Sequence, residues 1–269
     1  MTRKTVGSTP IWQFGILSGC GSLCHGITGR QRGVSEGPYA QLNLGLHVGD
    51  DAEHVVENRR RVCEALGVEF ETCTFGQQMH GDALRLVSPG DAGAGRTRFE
   101  DGFAETDGLI VREPGITIGV FVADCVPLVF YDPETHVGAV VHAGWRGTAA
   151  GIAAKAVRFL AEECSARPET LLVGIGPAIG RCCFQVSEEV ARAVGEAARS
   201  EEVAEVRDGS WYADVAEANR RQLLAAGVKQ ENIELSGVCT SCHADEFYSE
   251  RKLGRPTGRF GAFLSLRER

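Results

Sequence analysis

The chain has 269 residues, 43% of them hydrophobic, enough to bury a substantial core, and 36 acidic against 28 basic side chains give a formal charge of -8. No Lys/Arg-rich run is available to follow a phosphate backbone, so nucleic acid and anionic membrane are excluded as expected partners. Ten cysteines in a chain of this size read as reduced cytosolic thiols, not as a disulfide framework.

At the N-terminus, "LSGC" (Leu17 to Cys20) after Arg3 and Lys4 has the outline of a lipoprotein signal. The intervening "TVGSTPIWQFGI" contains Pro10, Gln13 and small polar residues, a poor apolar segment, so no cleaved signal is expected. No stretch approaches the roughly 20 apolar residues that span a bilayer. Residues 1–24 read as an N-terminal extension with a first strand, and 25–269 as one continuous domain.

Ala52 to Leu66 places Val55, Val56, Val62, Cys63 and Leu66 near helical spacing, with Asp50 and Asp51 as candidate caps and Gly67 as the stop. The centre changes character: "ITIGVFVADC", "VPLVFYD" and "VGAVVHAGW" are β-branched runs separated by turn residues such as Asp132-Pro133, the pattern of buried neighbouring strands. A helix capped by Thr148 is expected to run to about Glu162, with Ile152, Ala156, Phe159 and Leu160 on one face. "LLVGIG" reads as a further short strand. Ser187 to Ala198 and Asp214 to Ala226 read as helices, the latter with Asp214 and Glu217 at capping-box spacing and Gly227 at its end. The sum is a mixed α/β (α+β) single domain with mixed sheets flanked by helices.

Two glycine or cysteine strings have plain readings. "GIGPAIG" (Gly174 to Gly180) lacks the dinucleotide-loop spacing, and Pro177 interrupts the helix start that such a loop needs, so a structural loop is expected. The vicinal Cys182 and Cys183 have no partner pair at zinc-finger spacing and read as packing residues. "CTSCH" (Cys239 to His243) has the spacing of c-type haem attachment, but no export context accompanies it and the only methionines are Met1 and Met79. A zinc ribbon needs a second Cys-x-x-Cys about 15 to 20 residues away, and none exists. Cys239 and Cys242 are expected in a pocket wall or in packing.

More chemistry lies in "FGQQMHG", "VADC" and "VVHAGWRG", which put His80, Cys125 and His142 at the ends of strand-like runs. Strand ends present side chains to a crevice, and two imidazoles with a thiolate suit zinc with an open fourth position. The separations, 45 positions from His80 to Cys125 and 17 from Cys125 to His142, match no short metal motif.

Eight strings in this order, "HGITGRQRGVSEGPYAQLNLGLHVGDD", "QMHG", "TDGLI", "ADCVPLVFYD", "HAGWRGT", "IGPAIGRCCFQV", "NRRQLLAAGV" and "CTSCHADEFYSERK…TGR", resemble the YfiH/YlmD family, once called multicopper polyphenol oxidases or laccase-domain proteins. The resemblance runs from about His25 to the C-terminus. It implies a CNF1/YfiH-like α/β fold, a cytoplasmic zinc protein, and phosphorolysis of adenosine and inosine, with methylthioadenosine as a further substrate, together with adenosine deamination. Nucleoside and phosphate are then the partners, and His80, Cys125 and His142 the ligands, with Cys125 and His142 also counted as catalytic. The family's glutamine-valine-histidine-glycine string reads "QMHG" here, and its "IGPCCYEV" reads "IGRCCFQV", losing a tyrosine hydroxyl and a carboxylate.

Phosphorolysis needs cations for phosphate and for developing charge, and Arg59 and Arg146 are the candidates for catalysis and substrate binding. Asn43 in "LNLG" is the candidate for hydrogen bonding to sugar or base, against a plain turn role. The His-x-Glu and Pro-Cys-x-x-Cys signature of other zinc nucleobase deaminases is absent, so their glutamate cannot be carried over. Asp124 is conceivable as a proton carrier, although strand alternation would aim it away from Cys125. Three other readings stand beside this one. Copper can replace zinc at nitrogen and sulfur sites and give laccase-like oxidation, although seven histidines without a His-x-His pair disfavour a multicopper centre. Cys125 and His142 can form a metal-free hydrolase dyad, as in peptidoglycan-precursor editing. The cluster can also be a non-enzymatic metal scaffold.

Overall fold

The computed structural model describes residues 1–6 and 9–269; Gly7 and Ser8, part of the N-terminal segment weighed above, lie outside it. In chain order the strands are β1 (Thr2–Val6), β2 (Thr9–Gln13), β3 (Leu23–Thr28), β4 (Cys73–Phe75), β5 (Leu84–Val87), β6 (Gly108–Val111), β7 (Thr117–Val122) and β8 (Val126–Asp132). They continue as β9 (Val137–Ala143), β10 (Leu172–Ile175), β11 (Gln185–Val186), β12 (Ala204–Arg207), β13 (Ser210–Ala213), β14 (Ile233–Leu235) and β15 (Phe260–Leu266). The α-helices are α1 (Gly15–Ser18), α2 (Ala52–Leu66), α3 (Trp145–Ala149), α4 (Ile152–Cys164), α5 (Glu188–Ala198), α6 (Val215–Ala225) and α7 (Glu250–Leu253).

Two mixed six-stranded sheets carry the fold, with orders β1-β2-β3-β15-β7-β4 and β14-β10-β8-β9-β6-β5, beside a small β11-β13-β12 sheet. Side chains alternate across each strand, so one strand feeds two cores. Ile118, Val120 and Val122 of β7 join Val129 and Tyr131 of β8 between the large sheets, whereas Phe121 joins Val62, Cys63 and Leu66 of α2 on the other face. On the far side of the second sheet, Leu128 and Phe130 meet Ile152, Ala156 and Leu160 of α4 and Leu223 of α6. The layers therefore run helix, sheet, sheet, helix. Both faces of the central strands are covered, which is why they read as unbroken apolar runs in place of apolar/polar alternation.

The α2 boundaries coincide with the expectation: the Asp51 side chain accepts from the Glu53 and His54 amides, and Gly67 ends the helix at φ 67° in the left-handed region. Ser187, read as the first residue of its helix, is the cap of α5, and Asp214 caps α6 as expected, although Glu217 turns to Arg220 and Arg221, so the capping box is only half made. Two expectations change. Thr148 lies inside α3 and accepts from Asn219 Nδ2, while Gly151, at φ 80°, is the residue preceding α4. β7 does not neighbour β8 in one sheet: it pairs with β15 and β4, and the chain crosses to the second sheet between Val122 and Val126. Residue 24 lies inside β3, and Phe14 and Leu17 are fully buried in the main core, where α1 also meets β10 and β14 of the second sheet through the Ile16 amide and Glu234.

Candidate metal centre and its cleft

His80, Cys125 and His142 come together where the chain passes between the two large sheets. His80 lies between β4 of the first sheet and β5 of the second, Cys125 between β7 and β8, and His142 near the end of β9, opposite Pro127 of β8. Their donor atoms all lie within 4.8 Å of one another, and the two imidazoles meet edge to face at 4.8 Å. Two residues here, His80 and Asp124, the residue before Cys125, sit at φ 62° and 82°, a region costly for residues with a side chain.

Asp107 holds this arrangement, and it is the residue sequence reasoning missed. It directly precedes β6, whose Gly108 pairs with Val141, so its position beside His142 is a consequence of β6–β9 register. The His142 amide donates to the Asp107 carbonyl at 2.7 Å, and the His142 Nδ1–H donates to the Asp107 carboxylate, also at 2.7 Å. That carboxylate further accepts the backbone N–H groups of Met79 (3.2 Å), His80 (3.0 Å) and Gly81 (2.8 Å). One buried carboxylate thus fixes the backbone of one ligand and the tautomer of another, aiming Nε2 of His142 at Cys125, where a cation would sit between them. Burial opposes ionisation of Asp107, but the His142 contact and these amides outweigh it and hold the carboxyl below its usual range. Its only trace in the sequence is the string "TDGLI".

Electrostatics favour a thiolate. Burial pushes the Cys125 thiol up, but His142 and His80 beside it dominate and bring it down to about 6. Burial likewise pulls His142 down, and the Cys125 thiolate and Asp107 reverse this to about 9. An incoming cation would displace a proton from this pair. The glycines of "HAGWRG" supply room: a Cβ on Gly144 would lie 2.9 Å from His80 Cδ2 and 3.2 Å from Cys125 Sγ, and one on Gly147 would lie 2.6 Å from the Gly81 carbonyl. Gln78 anchors the His80 loop by exchanging two 2.7 Å hydrogen bonds with the backbone of Phe121.

The trio lines a cavity of about 830 Å³ whose walls carry Arg146, Arg251, Arg255 and Arg259. Arg146 is exposed, with its guanidinium 4.3 Å from the Trp145 ring. Arg255 and Arg259 are tied to Glu250 at 2.7 and 3.0 Å. The other two expected binding residues are elsewhere. Arg59 is 3% exposed; its guanidinium donates to the carbonyls of Leu44, Gly95 and Arg96 and lies 4.5 Å from the rings of Phe75 and Phe121. It is a cation built into the packing under the cleft, not one that faces it. Asn43 is fully buried and caps its own turn through Gly45, while its Oδ1 accepts from the Arg259 amide at 2.8 Å. It positions a cleft arginine and does not itself line the cleft. Asp124 is also committed, accepting from Thr240 Oγ1 at 2.6 Å and from the Arg251 amide at 2.7 Å.

"CTSCH" does not line the cleft either. Its Cys239 and Cys242 meet Cys182 and Cys183, so the partner pair missing from the sequence at ribbon spacing is supplied by a distant loop.

Comparison with known proteins places the chain in a family. The family model described as multi-copper polyphenol oxidoreductase laccase matches residues 24–267. A purine nucleoside phosphorylase, YlmD of Geobacillus stearothermophilus, is 41% identical over 246 residues, 90% of each chain. The crystal structure of YlmD from the same organism superposes with a TM-score of 0.89 at 40% identity, covering 93% of each chain. An adenosine deaminase, RL5, from an unknown prokaryotic organism is 35% identical over 224 residues, 82% of this chain and 85% of that one. The chain belongs to the multi-copper polyphenol oxidoreductase laccase family, the family of YlmD.

Proposed function

We propose that this chain is a zinc-dependent purine nucleoside enzyme, cleaving adenosine and inosine with phosphate to free base and ribose 1-phosphate, accepting methylthioadenosine, and deaminating adenosine at the same centre. The observation that carries the reading is the two-histidine, one-thiolate set on the floor of an arginine-walled cleft of about 830 Å³, a size suited to a nucleoside. The names of the YlmD and RL5 relatives point the same way.

The donor set fits zinc with one position left open, and when bound the ion supplies Lewis acidity there. The chain's own part is positional. Asp107 orients His142 and the His80 loop, so neither must reorganise as charge develops. In phosphorolysis an oxygen of phosphate bonds to the anomeric carbon while the C–N bond breaks and its electron pair leaves with the purine. Arg146, exposed on the cleft wall, offsets the phosphate charge, while Arg259 is held at the same wall by Glu250. Arg59 is not assigned to this step, because its guanidinium already donates four hydrogen bonds to the Leu44, Gly95 and Arg96 carbonyls. Multicopper oxidation is disfavoured: among the described residues the histidines enter only one metal-capable group.

A second reading rests on one observation, the Cys125, His142, Asp107 series, which has the form of a thiolate-imidazole-carboxylate hydrolase. Zinc-loaded protein assayed on adenosine and inosine with and without phosphate separates the two. The proposal expects ribose 1-phosphate only with phosphate and inosine from adenosine without it. Retention of full activity by Cys125→Ala would sink it. Activity that survives chelation but not thiol alkylation would establish the hydrolase.

A further inference from the structure

Cys182 and Cys183 lie on the loop after β10, and Cys239 and Cys242 on the loop after β14, almost 60 positions away in sequence. The two loops are joined as parallel backbone: the Ala178 amide donates to the Val238 carbonyl at 3.2 Å and the Thr240 amide to the Ala178 carbonyl at 3.0 Å. This junction brings four free thiols together. Cys242 Sγ lies 3.5 Å from Cys183 Sγ and 3.7 Å from Cys182 Sγ, and all four sulfurs lie within 4.8 Å of one another.

We propose that Cys182, Cys183, Cys239 and Cys242 form a second metal site, a tetrathiolate that takes a single zinc ion and clamps these two loops beside the cleft. Zinc bound tetrahedrally at about 2.3 Å from each sulfur has sulfur–sulfur edges of about 3.8 Å. The 3.5 and 3.7 Å separations are close to such an edge, and the 4.8 Å limit on the rest keeps all four sulfurs within reach of one ion; bridged iron clusters need sulfurs further apart. An all-sulfur set also selects a soft ion over magnesium or calcium. Backbone also converges on one of the sulfurs: the Gly180 amide donates to Cys239 Sγ at 3.2 Å, and the Cys242 amide donates to the same sulfur. Gly180 is packed against the cluster, since a Cβ there would lie 3.2 Å from Cys239 Cβ and 3.3 Å from Cys182 Sγ.

The site is closed, with four protein ligands and no open position, so its role is structural. Its reach into the cleft is short. Thr240, between two of the cysteines, donates to Asp124, the neighbour of Cys125. Arg251, on the cleft wall, donates to the carbonyls of Cys183 and Gln185 and through its amide to Asp124. Phe184, next to Cys183, lines the cleft itself.

The test counts zinc in a full chain whose cleft ligands are removed, His80→Ala with His142→Ala, so that its outcome is independent of the purine nucleoside reading. Reduced, zinc-loaded and desalted, this variant is expected to keep about one zinc per chain, with an X-ray absorption spectrum fitting four sulfurs at about 2.3 Å. Adding Cys239→Ser and Cys242→Ser should remove it. Should that variant fail to fold, Cys182→Ser in the otherwise unaltered chain, at an exposed position, should lower zinc retention from about two per chain towards one. A folded His80→Ala, His142→Ala chain that keeps no zinc overturns the proposal. So does nitrogen or oxygen coordination of the retained ion, or a disulfide among the four cysteines in freshly isolated protein.

Discussion

The molecule holds two groups of metal-capable side chains, and they are built in opposite ways. His80, Cys125 and His142 stand between two sheets, with a buried aspartate fixing two of them and three donors leaving a position open. The four cysteines sit on two surface loops, with Cys182 and Cys242 exposed, and four donors closing the shell. An open set invites substrate, whereas a closed one braces structure. The difference teaches that ligand count and backing matter more than the visibility of a motif: the conspicuous "CTSCH" belongs to the scaffold group, and the inconspicuous single residues belong to the cleft.

Perturbing each group should therefore produce different symptoms. The largest effect is expected from Cys125→Ala, which removes a charged donor from the open set: turnover of inosine with phosphate should fall by about a thousandfold or more, measured beside zinc content. Asp107→Ala comes next. It touches no substrate but frees His142 and the His80 loop, so zinc affinity should weaken about 10- to 100-fold. The amides it leaves unpaired should cost about 2–4 kcal/mol in denaturant unfolding. A variant with unchanged zinc affinity would show that the carboxylate is not what organises the centre.

Arg146→Ala should raise the KM for phosphate and lower kcat/KM for phosphorolysis by about 10- to 100-fold, while leaving phosphate-independent deamination of adenosine within about twofold. Equal loss in both reactions would argue that Arg146 shapes the cleft and does not meet phosphate. The smallest catalytic effect is expected from Cys239→Ser, which should lower Tm and its dependence on zinc while changing kcat by no more than about threefold. If instead it abolished turnover and left Tm unchanged, the contrast between the two groups would collapse.

How far these arrangements were legible in the sequence follows from the range of the forces involved. Asp51, the apolar spacing and Gly67 define α2 from within 17 residues, since capping and periodicity are local. The central strands were legible because burial on both faces leaves an unbroken apolar run. His80, Cys125 and His142 could be named as metal-capable residues at strand ends, and the family resemblance drew them into one set. Sequence periodicity also gave Thr148 a cap it does not make, because the positive-φ Gly151 breaks the helix after it.

Sequence alone thus determined the type of most elements, the mixed α/β class and the chemistry of the three cleft donors, because each is a property of residues near in the chain or of side-chain type. Tertiary structure alone decided the rest. It placed β7 and β8 in different sheets and set Asp107 against His142 by strand register. It also folded Arg59 into aromatic packing and joined two cysteine pairs from separate loops. Each of those outcomes depends on which distant segments pair, and no local pattern of charge or hydrophobicity encodes a pairing partner.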